Sequence, residues 1–310
     1  MTKKIERKNI VLLKGGWSTE REVSLTTAIG IEKALKNLGH DVKCIDLHRD
    51  MEQLVKALNP KPDLVFNALH GKWGEDGCIQ AVLDMMAIPY THSGRLSSKL
   101  AMNKHIAIQL FRNAGLPIAE SYVTTIDDAL SNPKMSPPYV IKPVSEGSSV
   151  GVHIVHENTK PNFDPKDWML DPIVLVERYI PGRELSVAIM GDKALGILEL
   201  RPKTGLFYNY EAKYTDGMTE HLMPAPIPKD IEDYAKEISL IAHKTLGCRG
   251  VTRSDIRFDD TKGKDGIILL EVNTQPGFTP LSIVPEIAQY NGISFESLIQ
   301  WMVEEAKCDA

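Results

Sequence analysis

Short apolar runs and amphipathic stretches take turns through the first ninety residues, and this alternation restricts the fold more than any other feature of the chain. Ile10–Leu13 reads as a buried strand, and Gly15-Gly16 turns the chain into a helical stretch, Val23–Leu38. That stretch has apolar residues at Leu25, Ala28, Ile29, Leu35 and Leu38 and a stop at Gly39. A strand at Val42–Leu47, a short helix at Met51–Leu58, a strand at Leu64–Leu69 and a helix at Cys78–Met86 follow. Strands linked through helices at this spacing pair in parallel, by right-handed crossovers. Ligands of such sheets gather at the carboxyl ends of the strands, which marks loops 14–22 and 70–77 as a binding edge.

Beyond residue 95 the texture changes. Ser97–Ala114 is periodic as one helix, closed by Gly115 and Pro117. Strands are expected at Tyr139–Val144, Gly151–His156 and Ile173–Ile180, and Glu184–Met190 meets Ala194–Leu200 across a Gly191-Asp192 turn. Residues 201–228 show no clear period and carry Pro224, Pro226 and Pro228; a connection of that length predicts a lid. A helix over Asp230–Leu246, paired strands at Val251–Phe258 and Ile267–Asn273 and two closing helices complete the chain. The expected fold class is α/β, with α+β parts, in three units: 1–95 with a doubly wound parallel sheet, 96–182, and 183–310 with the lid 201–228.

Composition narrows the function. The 36 Lys+Arg and 41 Asp+Glu of the 310 residues leave a formal charge of −5, and no basic tract breaks the pattern. Neither nucleic acid nor an anionic membrane is therefore expected as a partner. No apolar run nears the roughly 18 residues of a membrane span, and the run at Ile10–Leu13 is too short for a signal sequence. Cys44, Cys78, Cys248 and Cys308 stand far apart with no C-x-x-C spacing, which reads as reduced thiols of a cytoplasmic protein.

Three segments carry side chains suited to chemistry. The first, YVIKPVSEGSSVGVHIV at 139–155, puts Lys142 on a strand ahead of a turn rich in glycine and serine at 145–151. Such a turn aims several backbone N–H groups at one point and the ammonium adds positive charge, which suits a polyphosphate. Gly147-Ser148-Ser149-Val150-Gly151 also matches the G-x-S-x-G elbow of serine hydrolases, with Ser149 as nucleophile. That elbow must open a helix, however, and Val150–Val155 is strand-like. A plain hairpin turn with no ligand is the third reading. Neither G-x-x-x-x-G-K-[ST] nor G-x-G-x-x-G occurs.

The second segment is the last pair of strands. Glu271 and Asn273 share one strand face, Asp255 lies on the other strand, and Arg253 projects from the side of Asp255. Magnesium takes such hard oxygens and shares them with phosphates; alternatively these residues cap strand ends or meet lysines. The third segment is Gly15-Gly16-Trp17-Ser18-Thr19-Glu20-Arg21-Glu22, where Ser18 or Thr19 is placed to cap the helix. Glu20 stands at the sheet's carboxyl edge, ready for an ammonium group. His70 ends its strand at the same edge, where it can donate to a carboxylate or serve the structure alone.

In this order, LLKGGWSTEREVSL, LHGKWGEDG, IKPVSEGSSVGV, FYNYEAKY, TRSDIRF and LLEVNTQPG resemble the D-alanine–D-alanine ligases of the ATP-grasp superfamily, from about Asn9 to Trp301. The resemblance implies a three-domain ATP-grasp fold, with the first substrate on domain 1–95 and ATP between antiparallel sheets of 96–182 and 183–310. It implies that ATP and two D-alanines give D-alanyl-D-alanine, ADP and phosphate for peptidoglycan precursors, with two Mg2+ ions for which Mn2+ can substitute. A related ligase joining D-alanine to another D-amino acid or D-lactate is the alternative, and an ATP-binding protein without ligase activity is a more distant one.

Residue roles follow from the same resemblance. Lys104 and Lys142 would contact the ATP phosphates, with Glu146 and Ser149 of the turn beside them. Glu177, Arg178, Tyr179 and Ile180 would meet the adenine edge, Glu184 the ribose, and Phe207 and Leu270 the adenine faces. Asp255, Glu271 and Asn273 would hold magnesium. Glu20 would take the first alanine's ammonium with His70 nearby, and Arg253 and the Gly277 N–H would stabilise the oxyanion. Lys213 and Ser282 would grip the second alanine's carboxylate, while Tyr214 and Ser148 would link the lid to the first pocket. The resemblance also implies a cytoplasmic homodimer. Gln275, Phe278-Thr279-Pro280-Leu281 and Trp73 depart from the family's pattern, and Tyr214 after Glu211-Ala212-Lys213 resembles the dipeptide-forming type.

Overall fold

Three sheets organise the computed structural model, which describes residues 6–159, 161, 172–203, 217–279 and 282–309. In the first, β1 (Asn9–Gly15) lies between β2 (Asp41–Leu47) and β3 (Leu64–Asn67), parallel to both. Successive residues of β1 face opposite ways. Ile10 and Leu12 pack with Ala28, Ile31 and Leu35 of α1 (Arg21–Asn37), whereas Val11 and Leu13 pack with Leu54 of α2 (Met51–Ala57) and Leu83 of α3 (Cys78–Met85). Both faces are covered, which is why the strand reads as an unbroken apolar run.

β3 ends at Asn67, short of the expected Leu69, because the Asn67 side-chain oxygen accepts from Leu69 N at 3.2 Å and turns the chain. Ser18 and Thr19 do not cap α1. Its N-cap is Glu20, and the Ser18 hydroxyl instead lies 3.2 Å from Glu20 N and donates to the His70 carbonyl at 2.6 Å.

The expected single helix over Ser97–Ala114 is two, α4 (Arg95–Met102) and α5 (Lys104–Asn113). Asn103 between them is extended (φ −88°, ψ 96°), and its side chain accepts from Ile106 N at 3.0 Å. An asparagine at this point competes with the helix it interrupts and caps the next one. The second sheet has the order β4-β7-β5-β6, all antiparallel, from β4 (Ser121–Thr125), β5 (Tyr139–Pro143), β6 (His153–Val155) and β7 (Ile173–Arg178). β4 and the short α6 after it (Ile126–Ser131) are elements the sequence reading missed.

The third sheet, also antiparallel, runs β10-β9-β8-β11-β12. It comprises β8 (Arg183–Met190), β9 (Lys193–Pro202), β10 (Thr219–Leu222), β11 (Val251–Phe258) and β12 (Ile267–Asn273). Its β10 lies inside the stretch read as an unstructured lid and pairs with β9 from Thr219–Pro202 to Leu222–Glu199, so both flanks of that stretch are strand, with β10 at the sheet edge. α7 (Lys229–Thr245) covers one face through Ile231, Ala235, Ile238 and Ala242. α8 (Ile283–Tyr290) and α9 (Phe295–Glu304) place Ile283, Ile287 and Leu298 in the same core as Ile10, Leu12 and Phe66, joining the third sheet to the first. All four cysteines are free thiols, and no helix among the described residues is long and apolar enough to cross a membrane.

Candidate active site

Two adjoining cavities open where the three sheets meet. The first lies at the carboxyl edge of the parallel sheet, where Glu20, His70 and Glu75 are all buried. One ligating atom from each of these residues lies within 4.8 Å of the others, close enough to surround one cation. His70 Nδ1 is 2.6 Å from Glu75 Oε1 and Nε2 is 3.1 Å from Thr27 Oγ1. Burial alone would push the imidazole pKa down. The hydrogen bond to Glu75 and the charges of Glu75 and Glu20 outweigh that, even with Arg253 opposing them, and raise it. Two carboxylates facing one imidazole suit an ammonium group better than an anion.

The glycine- and serine-rich turn closes over this pocket. Ser148 and Ser149 take positive φ (48° and 59°), and Gly151 does as well (71°). Such backbone is uncommon for residues with a Cβ and persists only where surrounding structure holds it. A Cβ on Gly147 would lie 2.5 Å from Glu20 Oε1, so glycine lets the turn approach the carboxylate. The turn leads into β6, a strand, and not into a helix. Ser149 therefore lacks the setting of a hydrolase nucleophile, and that alternative fails.

The second cavity lies between the second and third sheets and collects Lys104, Lys142, Glu146, Ser149, Glu177, Arg178, Tyr179, Ile180, Glu184 and Leu270. Lys142 Nζ donates to Glu177 Oε2 at 2.6 Å in a buried pair. Lys104 Nζ donates to the Glu146 carbonyl at 2.6 Å and lies 3.5 Å from Glu271 Oε2. The Arg178 guanidinium donates to the Ser136 carbonyl (2.6 Å) and to Glu120 (3.2 Å). The two cavities share Lys104, Glu146, Gly147, Ser148 and Glu271.

Of the expected oxygen ligands, Glu271 lies on this shared wall, Asp255 lines the second cavity and Asn273 the first. Asp255 is the register partner of Glu271, and Arg253 that of Asn273. Asp255 accepts from Ser186 Oγ (2.7 Å) and, through both oxygens, from Arg253 Nε (2.8 Å) and Nη2 (2.7 Å). Asn273 Oδ1 accepts from Gln275 N at 2.8 Å. A carboxylate has about four lone-pair sites, so these donors leave Asp255 with coordinating capacity. Two carboxylates and an amide oxygen fit magnesium's preference for hard donors. Gly277 and Ser282 line the first cavity, with Ser282 at the N-terminus of α8, where its hydroxyl accepts from Thr279 N at 2.8 Å. Phe207, Lys213 and Tyr214 lie outside the described residues.

Three contributors have no role in the sequence reading. Arg257 donates to the Ile180 carbonyl (3.1 Å), the Gly182 carbonyl (2.8 Å) and Glu184 (3.4 Å), so it fixes the strand-to-strand connection at the cavity's edge. A period of two from Arg253 and Asp255 would have found it. Glu75 and Gln275 carry no such pattern. Trp73, at φ 74°, stacks near Trp17 with centroids 5.7 Å apart, so the loop that departs from the family pattern packs against the first loop.

Comparison with known proteins adds the family. Residues 110–304 match the family model described as D-ala D-ala ligase C-terminus, and residues 51–93 match D-ala D-ala ligase N-terminus. The chain is 53% identical to a D-alanine–D-alanine ligase of Parvibaculum lavamentivorans over 98% of this chain and 99% of that one. It is 52% identical to that of Paramagnetospirillum magneticum, over 97% of this chain and 99% of the other. Among solved structures, the D-alanine–D-alanine ligase of Bacillus anthracis complexed with ATP superposes with a TM-score of 0.79 at 30% identity, covering 97% of both chains. A D-Ala:D-Ser ligase of Enterococcus faecalis gives 0.77 at 28% identity, covering 96% of this chain and 99% of that one. The fold, a parallel sheet followed by two antiparallel sheets, is that of the ATP-grasp ligases.

Proposed function

We propose, from the premise that this chain belongs to the D-alanine–D-alanine ligase family, that it joins two D-alanines at the expense of ATP, giving D-alanyl-D-alanine, ADP and phosphate. A free carboxylate is a poor acyl donor because its leaving group would be oxide. Transferring the terminal phosphoryl of ATP to it gives an acyl phosphate, from which an amine displaces phosphate. The observation that carries this reading is the wall common to the two cavities: a phosphoryl group leaving the nucleotide cavity meets the first-substrate cavity across Lys104, Glu146–Ser148 and Glu271.

Position in these cavities supports the roles that the family resemblance implies. Lys104 and Lys142 with the turn 145–151 bind the triphosphate, and Glu177–Ile180, Glu184 and Leu270 bind the nucleoside, with Arg257 holding that edge in shape. Glu20 receives the first D-alanine's ammonium, and His70, held by Glu75, lies beside it. Asp255, Glu271 and Asn273 would hold the two magnesium ions, or manganese in their place. Bound metal supplies charge neutralisation to the phosphates. Phosphoryl transfer is accelerated mainly by such positioning and neutralisation. Arg253 and the Gly277 N–H donate to the oxyanion of the second step, where losing one donor typically costs about 3 kcal/mol. Ser282 and the start of α8 offer donors to the second alanine's carboxylate.

The acyl phosphate must be kept from water, a task assigned to the segment between β9 and β10 that carries Lys213 and Tyr214. The proposed domains are 1–95, 96–182 and 183–310, in a cytoplasmic homodimer. The test is phosphate release from ATP and magnesium with D-alanine, L-alanine, D-serine or D-lactate. Release with D-alanine alone is expected, with the dipeptide formed in equal amount. Release only when D-serine or D-lactate accompanies D-alanine would assign the second site to that partner, and nucleotide binding without release would remove the ligase reading.

A further inference from the structure

Gln275 is 1% exposed and stands two residues after Asn273 and two before Gly277. Its backbone N–H donates to Asn273 Oδ1 at 2.8 Å. Its side-chain Nε2 donates to the Leu69 carbonyl, the peptide that leads into His70, and its Oε1 accepts from Asn67 Nδ2 at 2.9 Å. Asn67, wholly buried, also donates to the Gly74 carbonyl at 3.0 Å, and Gln80 donates to the same carbonyl at 2.9 Å. Gly74 immediately precedes Glu75, the partner of His70. One side chain therefore ties loop 70–77 of the parallel sheet to segment 273–277 of the third sheet.

We infer that Gln275 is a positioning residue that sets the spacing between the His70–Glu75 pair on one side and Asn273 and Gly277 on the other. The inference rests on the ligase reading above, which places the first D-alanine between those groups. The chemistry at the junction is demanding. A carbonyl needs a donor and an amide N–H needs an acceptor, both supplied from one planar group at the end of a two-carbon arm. Glutamine does this; serine is too short, methionine has neither a donor nor a strong acceptor, and an ionised glutamate only accepts. Because catalysis by positioning is steep in distance, loosening this tie should reach the reaction although Gln275 touches no substrate.

Two near-isosteric variants test it. Gln275→Met removes both side-chain bonds, while Gln275→Glu keeps the acceptor for Asn67 and replaces the amide that donates to the Leu69 carbonyl. Both are expected to raise the first D-alanine's KM and lower kcat, together by about 10- to 100-fold in kcat/KM, with the ATP KM within about two-fold of wild type. Unaltered D-alanine kinetics with only a lowered melting temperature, or a D-alanine KM that rises no more than the ATP KM, would overturn the inference. A wild type that releases no phosphate with D-alanine would remove the ligase reading and this inference together.

Discussion

A histidine buried against two carboxylates holds its proton to higher pH than one in water, and His70 is in that position. Its folded pKa lies above the unfolded value of about 6.5, so its contribution to stability is fully present below that pH. The contribution fades as pH rises through the folded value. Glu75→Gln should therefore melt lower than wild type in mildly acidic buffer, with the gap closing on the alkaline side. A gap that does not change with pH would contradict the Glu75–His70 coupling. Asp255→Asn should require far more magnesium for half-maximal phosphate release and lose most turnover while remaining folded; an unchanged magnesium requirement would exclude Asp255 as a ligand. Positions such as Glu20 and His70 were legible because strand ends can be located from apolar runs. Glu75 was not, because Gly71 and Trp73, both at positive φ, fold its loop back onto His70, and no periodicity encodes that return.

Among the elements, the turn between β5 and β6 is constrained by its positive-φ serines and its approach to Glu20. Gly147→Ala would set a methyl 2.5 Å from Glu20 Oε1, so the carboxylate or the turn must shift. The expected result is a D-alanine KM raised on the order of ten-fold with a smaller change for ATP, read from steady-state kinetics. Equal effects on both substrates would place the turn's role elsewhere. The strands around it were legible, and β11 and β12 begin and end where the sequence put them. β10 was hidden because Thr219-Glu220-His221-Leu222 is a half-exposed edge with no apolar alternation. The break between α4 and α5 was hidden for the opposite reason: apolar spacing continues through Asn103, and only the cap bond to Ile106 N reveals the stop.

Across the whole molecule, the core joins what the sequence separates. Phe278, Ile283 and Leu298 pack with Ile10, Leu12 and Phe66, so the first and third sheets share one apolar interior. The second sheet has its own interior around Ile126, Tyr139, Ile141 and Val176. Long-range packing of this kind leaves no local trace, whereas the parallel sheet and its ligand edge were legible from alternation alone. The motifs placed the candidate site residues in one chain order, and the structure adds the convergence of those it describes on two cavities with a common wall. That convergence is tested most directly by the crystal structure of the chain with magnesium and a non-hydrolysable ATP analogue. Density for the terminal phosphate should lie between Lys104 and Lys142 on one side and Asp255, Glu271 and Asn273 on the other, facing Glu20 across Gly147. An analogue bound away from that wall, or with its phosphates turned from those three oxygens, would contradict the account.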